Sequence, residues 1–244
     1  MIYNKTQLNP EKVFEKHIFH RDQFAHYLRW THVLKRAKIG MNILDFGCGN
    51  GNLAEVLYRN KFKANMYLGL DIREKTCQNA RERFPGISWI KFEHTNLCSD
   101  LNSISTKNNK WDIICSFEVI EHIGKKNIDA FLKNIKSLCS ENTTILISTP
   151  NYDEKVGAAE NHIINGEVGE WKHEELQEKL KEYFTITEKY GTFASQKDYK
   201  NLMNDWQKEM YNNLSKYYDS NILSNLMAPM FPVESRNCLW VCKI

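Results

Sequence analysis

Two carboxylates and an imidazole lie close together in the string FEVIEH, residues 117–122. If this segment is helical, Glu118, Glu121 and His122 share one face, because residues three and four apart are neighbours on a helix. Such a set can hold a divalent cation, and His162, on a later loop, is a candidate fourth ligand. With mixed nitrogen and oxygen ligands, Mg²⁺ or Mn²⁺ would suit an oxygen nucleophile, and Zn²⁺ and Fe²⁺ are the alternatives.

Two other interpretations of these residues stay open. Glu118 or His122 can act as a general acid or base without a metal, in which case it would remove a proton from a nucleophile. Alternatively, the acids and the histidine only orient neighbouring groups, cap a helix or pack in the core. The sequence does not decide between the three.

A glycine-rich turn precedes these residues in the string LDFGCGNG, residues 44–51. Gly47, Gly49 and Gly51 let the backbone turn sharply and approach a ligand without a Cβ between them. Dinucleotide-binding enzymes use similar glycines, so the turn alone is a weak signal. Here, however, Asn52 stands where the third glycine of GxGxxG would be, and nothing else in the chain suggests hydride transfer.

Two polar residues after later strands strengthen a nucleoside-binding interpretation. Asp71 ends an apolar run about 20 residues after the glycines, where an acid can accept hydrogen bonds from ribose hydroxyls. Asn96 follows the third strand, where its amide can read the edge of an adenine. These two side chains and the glycine turn together predict a site for an adenosine-containing cofactor.

The elements that must position these residues alternate between short apolar runs and amphipathic segments. Strands are predicted at Asn42–Phe46, Met66–Leu70, Ser88–Phe92, Asp112–Ser116, Thr143–Ser148, Phe184–Gly191 and Cys238–Lys243. Helices are predicted near Asn52–Arg59, Arg73–Phe84, Lys125–Leu138 and His173–Tyr183. Strands separated by helices of this length imply right-handed crossovers and a mainly parallel sheet. The fold class is therefore α/β, with three layers.

Two segments lie outside this alternation, and we read 1–244 as a single domain that includes both. Residues 1–39 form a predicted helical cap, in which Asp22, His26 and Arg29 share a face that could close the site, grip an anion or only meet solvent. Residues 195–235 form a predicted helical insertion before the last strand, either a lid or an extra packing layer. Its lysines and aromatic residues could bind nucleic acid, but acidic residues dilute the charge.

Composition excludes several other classes of protein. The 244 residues carry 33 Lys and Arg against 30 Asp and Glu, a formal net charge of +3, which excludes a polybasic coat. No window approaches the ~20 consecutive apolar residues of a membrane helix, and no signal peptide is recognisable. The 7 cysteines form no CxxC pair, so we expect reduced thiols and a cytoplasmic location.

The chain resembles class I S-adenosylmethionine-dependent methyltransferases. Five motifs carry the resemblance, in order, between Ile39 and Gly191: LDFGCGNG, LGLD, TNL, DIICSFEVIEHI and TTILISTPN. The resemblance implies a Rossmann-like sheet of seven strands, mostly parallel, whose last strand is antiparallel and inserted between its neighbours. It also implies that S-adenosylmethionine is the cofactor. The predicted cofactor-binding residues are Asp45, Gly47, Cys48, Gly49, Asp71, Ile72, Asn96, Leu97 and Phe117.

The string ExxEH with a later histidine and EW resembles the metal-dependent small-RNA 3′-terminal ribose 2′-O-methyltransferases. The ExxEH part is also similar to ubiquinone-pathway O-methyltransferases. This likeness implies that Glu118, Glu121, His122 and His162 are metal ligands, while Glu118 and His122 are the predicted catalytic residues. The chain lacks the second histidine that such relatives usually carry just before the residue matching His162.

The sequence thus predicts an S-adenosylmethionine-dependent methyltransferase that acts on a hydroxyl of a small metabolite, sugar or nucleoside. An RNA or DNA methyltransferase, such as a ribose 2′-O enzyme, is the main alternative. Ser116-Phe117-Glu118-Val119 replaces the D/N-P-P-Y/F string of amino-directed DNA enzymes and argues against that subtype. A non-catalytic protein that binds the cofactor is the third possibility.

Overall fold

The computed structural model describes residues 21–99, 101, 110–154, 162–192 and 199–244, with side chains described from residue 24 onward. Its strands are β1 (Asn42–Phe46), β2 (Met66–Asp71), β3 (Ile90–His94), β4 (Ile113–Phe117), β5 (Thr144–Pro150), β6 (Ile163–Ile164), β7 (Glu167–Val168), β8 (Thr185–Gly191) and β9 (Asn237–Lys243). Seven of these strands form one sheet, in the order β3-β2-β1-β4-β5-β9-β8. Strands β6 and β7 form a separate hairpin that the sequence did not predict.

The directions of the strands confirm the predicted fold. Strands β3, β2, β1, β4 and β5 pair in parallel, whereas β9 is antiparallel to both of its neighbours, β5 and β8. Strand β9 is therefore the inserted antiparallel strand, one residue longer than predicted. The central strands are buried almost throughout, as continuous apolar runs in a parallel sheet require.

The helices of the described residues cover both faces of this sheet. They are α1 (Arg21–Arg36), α2 (Asn52–Arg59), α3 (Glu74–Arg83), α4 (Ile120–Ile123), α5 (Ile128–Ser137), α6 (His173–Lys181), α7 (Asp205–Leu214) and α8 (Ser220–Met227). Successive strand residues point to opposite faces: Leu44 joins the apolar cluster with Phe131 of α5, whereas Ile43 joins the cluster with Leu57 of α2. Two apolar layers on one sheet give the predicted three-layer architecture.

Most predicted elements differ from the structure by one to three residues at an end, and two of these differences have a local cause. The third strand begins two residues later than Ser88, since Pro85-Gly86 opens a turn that continues to Trp89. The segment predicted as one helix from Lys125 starts with a 3₁₀ turn, Lys125–Asn127, and becomes α-helical at Ile128. Both deviations lie at element ends, where periodicity is least informative.

Helix α1 packs against the sheet along the predicted apolar stripe. Val33 is fully buried, and Trp30, Leu34 and Ala37 pack against the same cluster, although Ala37 follows the end of the helix. Arg29, placed on the other face by the sequence pattern, is buried instead. Residues 1–20 of the predicted cap lie outside the described residues, as does the side chain of Asp22.

The predicted insertion is helical over its described part, residues 199–235; Ser195 to Asp198 lie outside the described residues. Helix α8 packs against α1, and the 3₁₀ turn Ala228–Met230 packs against β8. Helix α7 has no buried residue, and Trp206 at its start is 63% exposed. The described segment is therefore a helical layer with one uncovered helix. Across the described ranges, every helix is too short or too polar to span a bilayer.

We expect His32 on α1 to make folding sensitive to acid. Its buried ring packs on Tyr190 at 4.3 Å between ring centroids, and burial, then the charge of Arg36, lowers its pKa from 6.5 to about 4. Between these two pH values the unfolded chain binds more protons at His32 than the folded chain, so stability falls as pH decreases through that window.

The His32→Gln variant should therefore lose less stability than the wild type between about pH 7.5 and about pH 5. Urea unfolding at both pH values measures the difference. Equal losses in the two proteins would contradict the assignment to His32.

Candidate functional site at the carboxyl ends of β1, β2 and β4

The sheet creates a crevice where its strand order reverses. The chain runs from β1 outward to β2 and β3, and then returns to the other side of β1 as β4. The loops that follow β1 and β4 therefore leave in opposite directions and open a cleft at the carboxyl ends of the strands. Ligands bind at such switch points in open α/β sheets.

The glycine turn after β1 adopts the backbone that its sequence predicts. Gly47 and Gly49 have φ angles of 85° and 51°, which residues other than glycine rarely adopt. A Cβ on Gly47 would lie 2.2 Å from Cγ2 of Val119, so glycine is also required there by close packing. The amides of Gly47 and Cys48 donate to the carbonyl of Leu70 at 2.8 and 3.0 Å, which fixes the turn against β2.

Asp71, at the end of β2, holds the other side of this turn. Asp71 is only 5% exposed, and its Oδ2 accepts a hydrogen bond from the Gly49 amide at 3.0 Å. Oδ1 accepts from the Arg73 amide at 2.9 Å. The predicted ribose-binding acid and the predicted glycine turn are thus in direct contact, and a carboxylate retains further lone pairs for a ligand.

The remaining predicted cofactor residues differ in exposure and in their partners. Ile72 is exposed beside Asp71, while Leu97 is buried in the core layer of α5. Asn96 forms a turn in which its Oδ1 accepts from the Cys98 amide at 3.0 Å, so part of its amide is engaged locally. Phe117, at the end of β4, packs on the opposite layer.

Asp45 faces the protein interior. Tyr67 on β2 donates its hydroxyl proton to Oδ2 of Asp45 at 2.6 Å, and both residues are buried. Burial raises the pKa of Asp45 to about 7, against the lowering effect of the Tyr67 hydrogen bond. The acid at the start of the glycine turn therefore contributes a buried, hydrogen-bonded carboxyl beneath the turn.

Glu118 is not on the helical face that the ExxEH spacing suggested. Its φ is 57°, and helix α4 begins only at Ile120, so Glu121 and His122 belong to the helix while Glu118 precedes it. The predicted common face of the three residues is therefore wrong. The left-handed conformation turns the Glu118 side chain toward neighbouring elements instead.

Glu118 joins four parts of the fold at the edge of the cleft. Oε1 forms an ion pair with Nη1 of Arg29 on α1 at 2.6 Å and accepts from the Ser148 hydroxyl on β5 at 2.8 Å. Oε2 accepts from the side-chain amide of Asn237, the first residue of β9. Arg29 also donates to Nδ1 of His26 at 2.8 Å. The carboxylate thus anchors α1 over the carboxyl ends of β4 and β5.

The other predicted metal ligands lie in two separate places. Glu121 is fully buried, and its Oε2 accepts from the Thr149 hydroxyl at 2.8 Å. The rings of His122 and His162 meet edge to face with centroids 4.3 Å apart. His162 Nδ1 pairs with Oε1 of Glu170, a fully buried carboxylate, at 3.2 Å.

The predicted metal set is not assembled by these contacts. In the described ranges, no three His, Cys, Asp or Glu side chains are grouped so that they could hold one ion. Among the contacts given for the described residues, the rings of His122 and His162 meet, while the carboxylate of Glu118 is occupied by Arg29, Ser148 and Asn237. Glu160 and Asn161, in the loop before His162, lie outside the described residues.

His122 retains a neutral ring at the rim of the cleft. Burial, followed by the charges of His162 and Arg73, lowers its pKa below the ordinary value. A neutral imidazole near pH 7 can accept a proton, which is the property that a general base needs.

Sequence reasoning missed the residues that hold the acids in place. Tyr67 and Asn237 lie outside the quoted motifs, and Ser148 lies inside TTILISTPN without being singled out, since hydroxyl and amide side chains are common in such strands. Topology could have found Asn237, because the start of an antiparallel last strand lies at the carboxyl end of β5. Its neighbour Pro150 pairs with Asn237 in the sheet.

A model of the methyltransferase domain family matches residues 19–227 of the chain. The chain is similar to the mitochondrial ubiquinone biosynthesis O-methyltransferase of Arabidopsis thaliana, with 31% identity over 46% of this chain. That match spans only 33% of the length of the plant protein. A ubiquinone biosynthesis O-methyltransferase of Sinorhizobium fredii is 26% identical over 78% of this chain and 74% of its own length.

A solved structure shares the fold. The S-adenosylmethionine-dependent methyltransferase from Archaeoglobus fulgidus superposes with a TM-score of 0.60 over 97% of this chain and 100% of that chain. Its sequence identity is 16%, so this likeness concerns the fold alone.

We expect Asp71→Asn to weaken binding of S-adenosylhomocysteine by about 2 kcal/mol, or roughly 30-fold, through the loss of charge-assisted hydrogen bonds. Calorimetric titration gives the affinity. Asp112→Asn is the matched control, because Asp112 accepts from the Asn42 amide at the opposite end of the sheet. Equal affinities of Asp71→Asn and wild type would remove Asp71 from the cofactor site.

The Arg29–Glu118 pair should show strong coupling in a double-mutant cycle. Arg29→Met leaves the largely buried Glu118 carboxylate without its cationic partner. This substitution should therefore lower the free energy of unfolding by about 3 kcal/mol. Arg29→Met combined with Glu118→Gln should recover part of that loss, since the uncompensated charge is gone. Urea unfolding of the four proteins measures the coupling, and strictly additive effects would contradict it.

Proposed function

The chain belongs to the class I S-adenosylmethionine-dependent methyltransferase family, and from that premise we propose that it methylates a hydroxyl oxygen of a small metabolite, sugar or nucleoside. The contact between Asp71 and the Gly49 amide carries the proposal. This hydrogen bond joins Asp71, which suits the ribose of the cofactor, to Gly49, which suits the amino-acid end of the cofactor. Dinucleotide-binding enzymes also combine a glycine turn with an acid for a ribose, but Asn52 stands here where their motif has its third glycine.

The described residues fit this cofactor. The positive φ of Gly47 and Gly49 removes side chains from the path of a ligand, and Asp71 offers lone pairs to ribose hydroxyls. Exposed Ile72 offers an apolar surface on which an adenine ring can stack. We assign Gly47 and Gly49 to the amino-acid end, Asp71 to the ribose, and Ile72, Asn96 and Leu97 to the adenine.

S-adenosylmethionine, when bound, supplies an electrophilic methyl carbon and a sulfur leaving group. The protein must then orient the acceptor and receive the proton of its hydroxyl. We assign that proton to His122, whose ring is neutral and lies at the rim of the cleft beside β4. His162, held by Glu170, packs edge-on against this ring and fixes its position.

Glu118 is assigned a positioning role in this proposal. Arg29, Ser148 and Asn237 already occupy its oxygens, so it is less suited than His122 to receive a proton. By holding α1 over the cleft, it restricts the access of water to the acceptor. We derive no step through Mg²⁺ or Mn²⁺, because the four predicted ligands do not converge.

A polymeric acceptor such as RNA is the second candidate. Exposed Trp206 and Tyr217, 63% and 80% exposed, lie among Lys208 and Lys216, and such aromatic residues can stack with unpaired bases. Asp205, close to Trp206, weakens the attraction for phosphates. RNA binding with a steep dependence on salt would favour the polymer, and its absence favours a small acceptor.

His122→Gln should lower kcat by about 100-fold while it leaves the affinity for S-adenosylhomocysteine unchanged. Release of S-adenosylhomocysteine with a pool of hydroxylated acceptors measures turnover. His32→Gln is the matched control, because His32 packs on β8 through Tyr190, away from α4. Full turnover by His122→Gln would refute the assigned base, whereas cofactor binding without turnover in the wild type would favour a non-catalytic binding protein.

A further inference from the structure

Arg83, the last residue of α3, contacts both the glycine turn and the helix that follows it. Its Nη1 donates to the carbonyl oxygen of Asn50, inside the turn, and to Oδ1 of Asn52 at 2.9 Å. Its Nη2 forms an ion pair with Oε2 of Glu55 on α2. One guanidinium from the helix after β2 therefore joins three residues of the segment that follows β1.

The contact with Asn50 fixes the orientation of one peptide group. In a trans peptide the carbonyl and the amide that follows it point in opposite directions. The Asn50 carbonyl points to Arg83, so the Gly51 amide points away from Arg83. That amide donates to the Cys48 carbonyl at 3.0 Å and closes a four-residue turn with Gly49 and Asn50 at its centre. Rotation of the Asn50–Gly51 peptide would break both hydrogen bonds.

The same turn makes the contact on which the proposed cofactor site depends. The Gly49 amide, at the centre of the turn, donates to Oδ2 of Asp71 at 3.0 Å. Because glycine adopts positive and negative φ about equally readily, Gly49 does not maintain its φ of 51° by itself. Hydrogen bonds of the neighbouring residues must maintain it, and Arg83 supplies one of them.

Aromatic rings support the turn beside this guanidinium. Gly51 provides no side chain that could cap the start of α2. Its backbone rests on two rings, since a Cβ on Gly51 would lie 2.7 Å from Cζ of Phe92 and 3.3 Å from Cε2 of Phe84. The Arg83 guanidinium lies over the Phe84 ring, with Cζ 5.7 Å from the ring centroid. The rings limit the movement of the turn, and the planar guanidinium adds hydrogen bonds of fixed direction.

The ion pair with Glu55 orients the guanidinium and contributes little to folding. The side chains of Arg83 and Glu55 are 31% and 30% exposed, and ion pairs at such positions add little stability. Glu55 also accepts from Nε of Arg59 at 2.8 Å, so it keeps a cationic partner when Arg83 is replaced. Loss of Arg83 should therefore affect the turn more than the fold.

We propose that Arg83 is a positioning residue that fixes the Asn50–Gly51 peptide and thereby presents Gly49 to the amino-acid end of S-adenosylmethionine. The part that concerns the cofactor rests on the proposed function, whereas the effect of Arg83 on the glycine turn does not. Arg83 acts here through the backbone of the turn, so its loss should weaken cofactor binding and leave the methyl-transfer step unchanged.

The test replaces Arg83 in two ways and compares the variants with a matched arginine of the same helix. Arg83→Met removes the charge and the donors but keeps an apolar chain beside Phe84, whereas Arg83→Lys keeps the charge without the planar fork. Arg81→Met is the control, because Arg81 also binds a backbone carbonyl, that of Phe92 at 3.1 Å, and a carboxylate, that of Glu74 at 3.0 Å. Neither of these partners belongs to the glycine turn.

Cofactor binding and turnover should change together in these variants. In calorimetric titration, Arg83→Met should bind S-adenosylhomocysteine about tenfold more weakly than the wild type, and Arg83→Lys about threefold more weakly. With a pool of hydroxylated acceptors, the KM for S-adenosylmethionine should rise by the same factors, while kcat at saturating cofactor stays within about twofold. Arg81→Met should match the wild type in affinity and in both kinetic constants.

Hydrogen exchange of the cofactor-free protein tests the turn itself. Peptides that cover residues 47–53 should exchange about fivefold faster in Arg83→Met than in the wild type, because the glycine amides lose protection when the turn loosens. Arg81→Met should match the wild type over this segment. Thermal unfolding verifies that each variant is folded, and Arg83→Lys provides the test if Arg83→Met does not fold.

The outcomes separate this inference from the proposed function. If folded Arg83→Met keeps the wild-type affinity, the positioning role is refuted and the proposed function stands; unchanged exchange over residues 47–53 would also refute the effect on the turn. An equal loss of affinity in Arg81→Met, or a fall in kcat with an unchanged KM, refutes the positioning role as well. If the folded wild type fails to bind S-adenosylhomocysteine, the proposed cofactor site itself is wrong, and faster exchange in Arg83→Met then supports only the effect on the turn.

Discussion

The hydrogen bond from the Gly49 amide to the Asp71 carboxylate is the contact on which the rest of the site depends. It joins the loop after β1 to the tip of β2, and so it sets the shape of the cleft at the point where the strand order reverses. Gly47 also lets the turn pack closely against the loop after β4, because a Cβ on Gly47 would collide with Val119.

A second contact, an ion pair, stabilises the other side of the cleft. The ion pair between Arg29 and Glu118 fixes α1 to the end of β4, and Ser148 and Asn237 extend it to β5 and β9. A buried ion pair needs such additional donors to offset the loss of hydration. The acid that the sequence pattern offered as a ligand or a base thus holds α1 against the ends of β5 and β9.

The sequence predicted the strands well, because strands buried on both faces are continuous apolar runs, and right-handed crossovers implied a mainly parallel sheet. The inserted antiparallel last strand was implied by the resemblance to the methyltransferase family. Strand β1 and helix α2 have the predicted bounds, and the inserted β9 is confirmed. The predicted common face of Glu118, Glu121 and His122 was wrong, because one left-handed residue at Glu118 delays the helix by two positions. A single dihedral of this kind leaves no signal in residue spacing, and neither do the partners supplied by Arg29 and Asn237.

The most direct test of the account is a calorimetric titration of the reduced, folded wild-type chain with S-adenosylhomocysteine. The account predicts saturable binding of one ligand per chain and a rise in the unfolding temperature that increases with ligand concentration. A flat titration from protein that still unfolds cooperatively would contradict it.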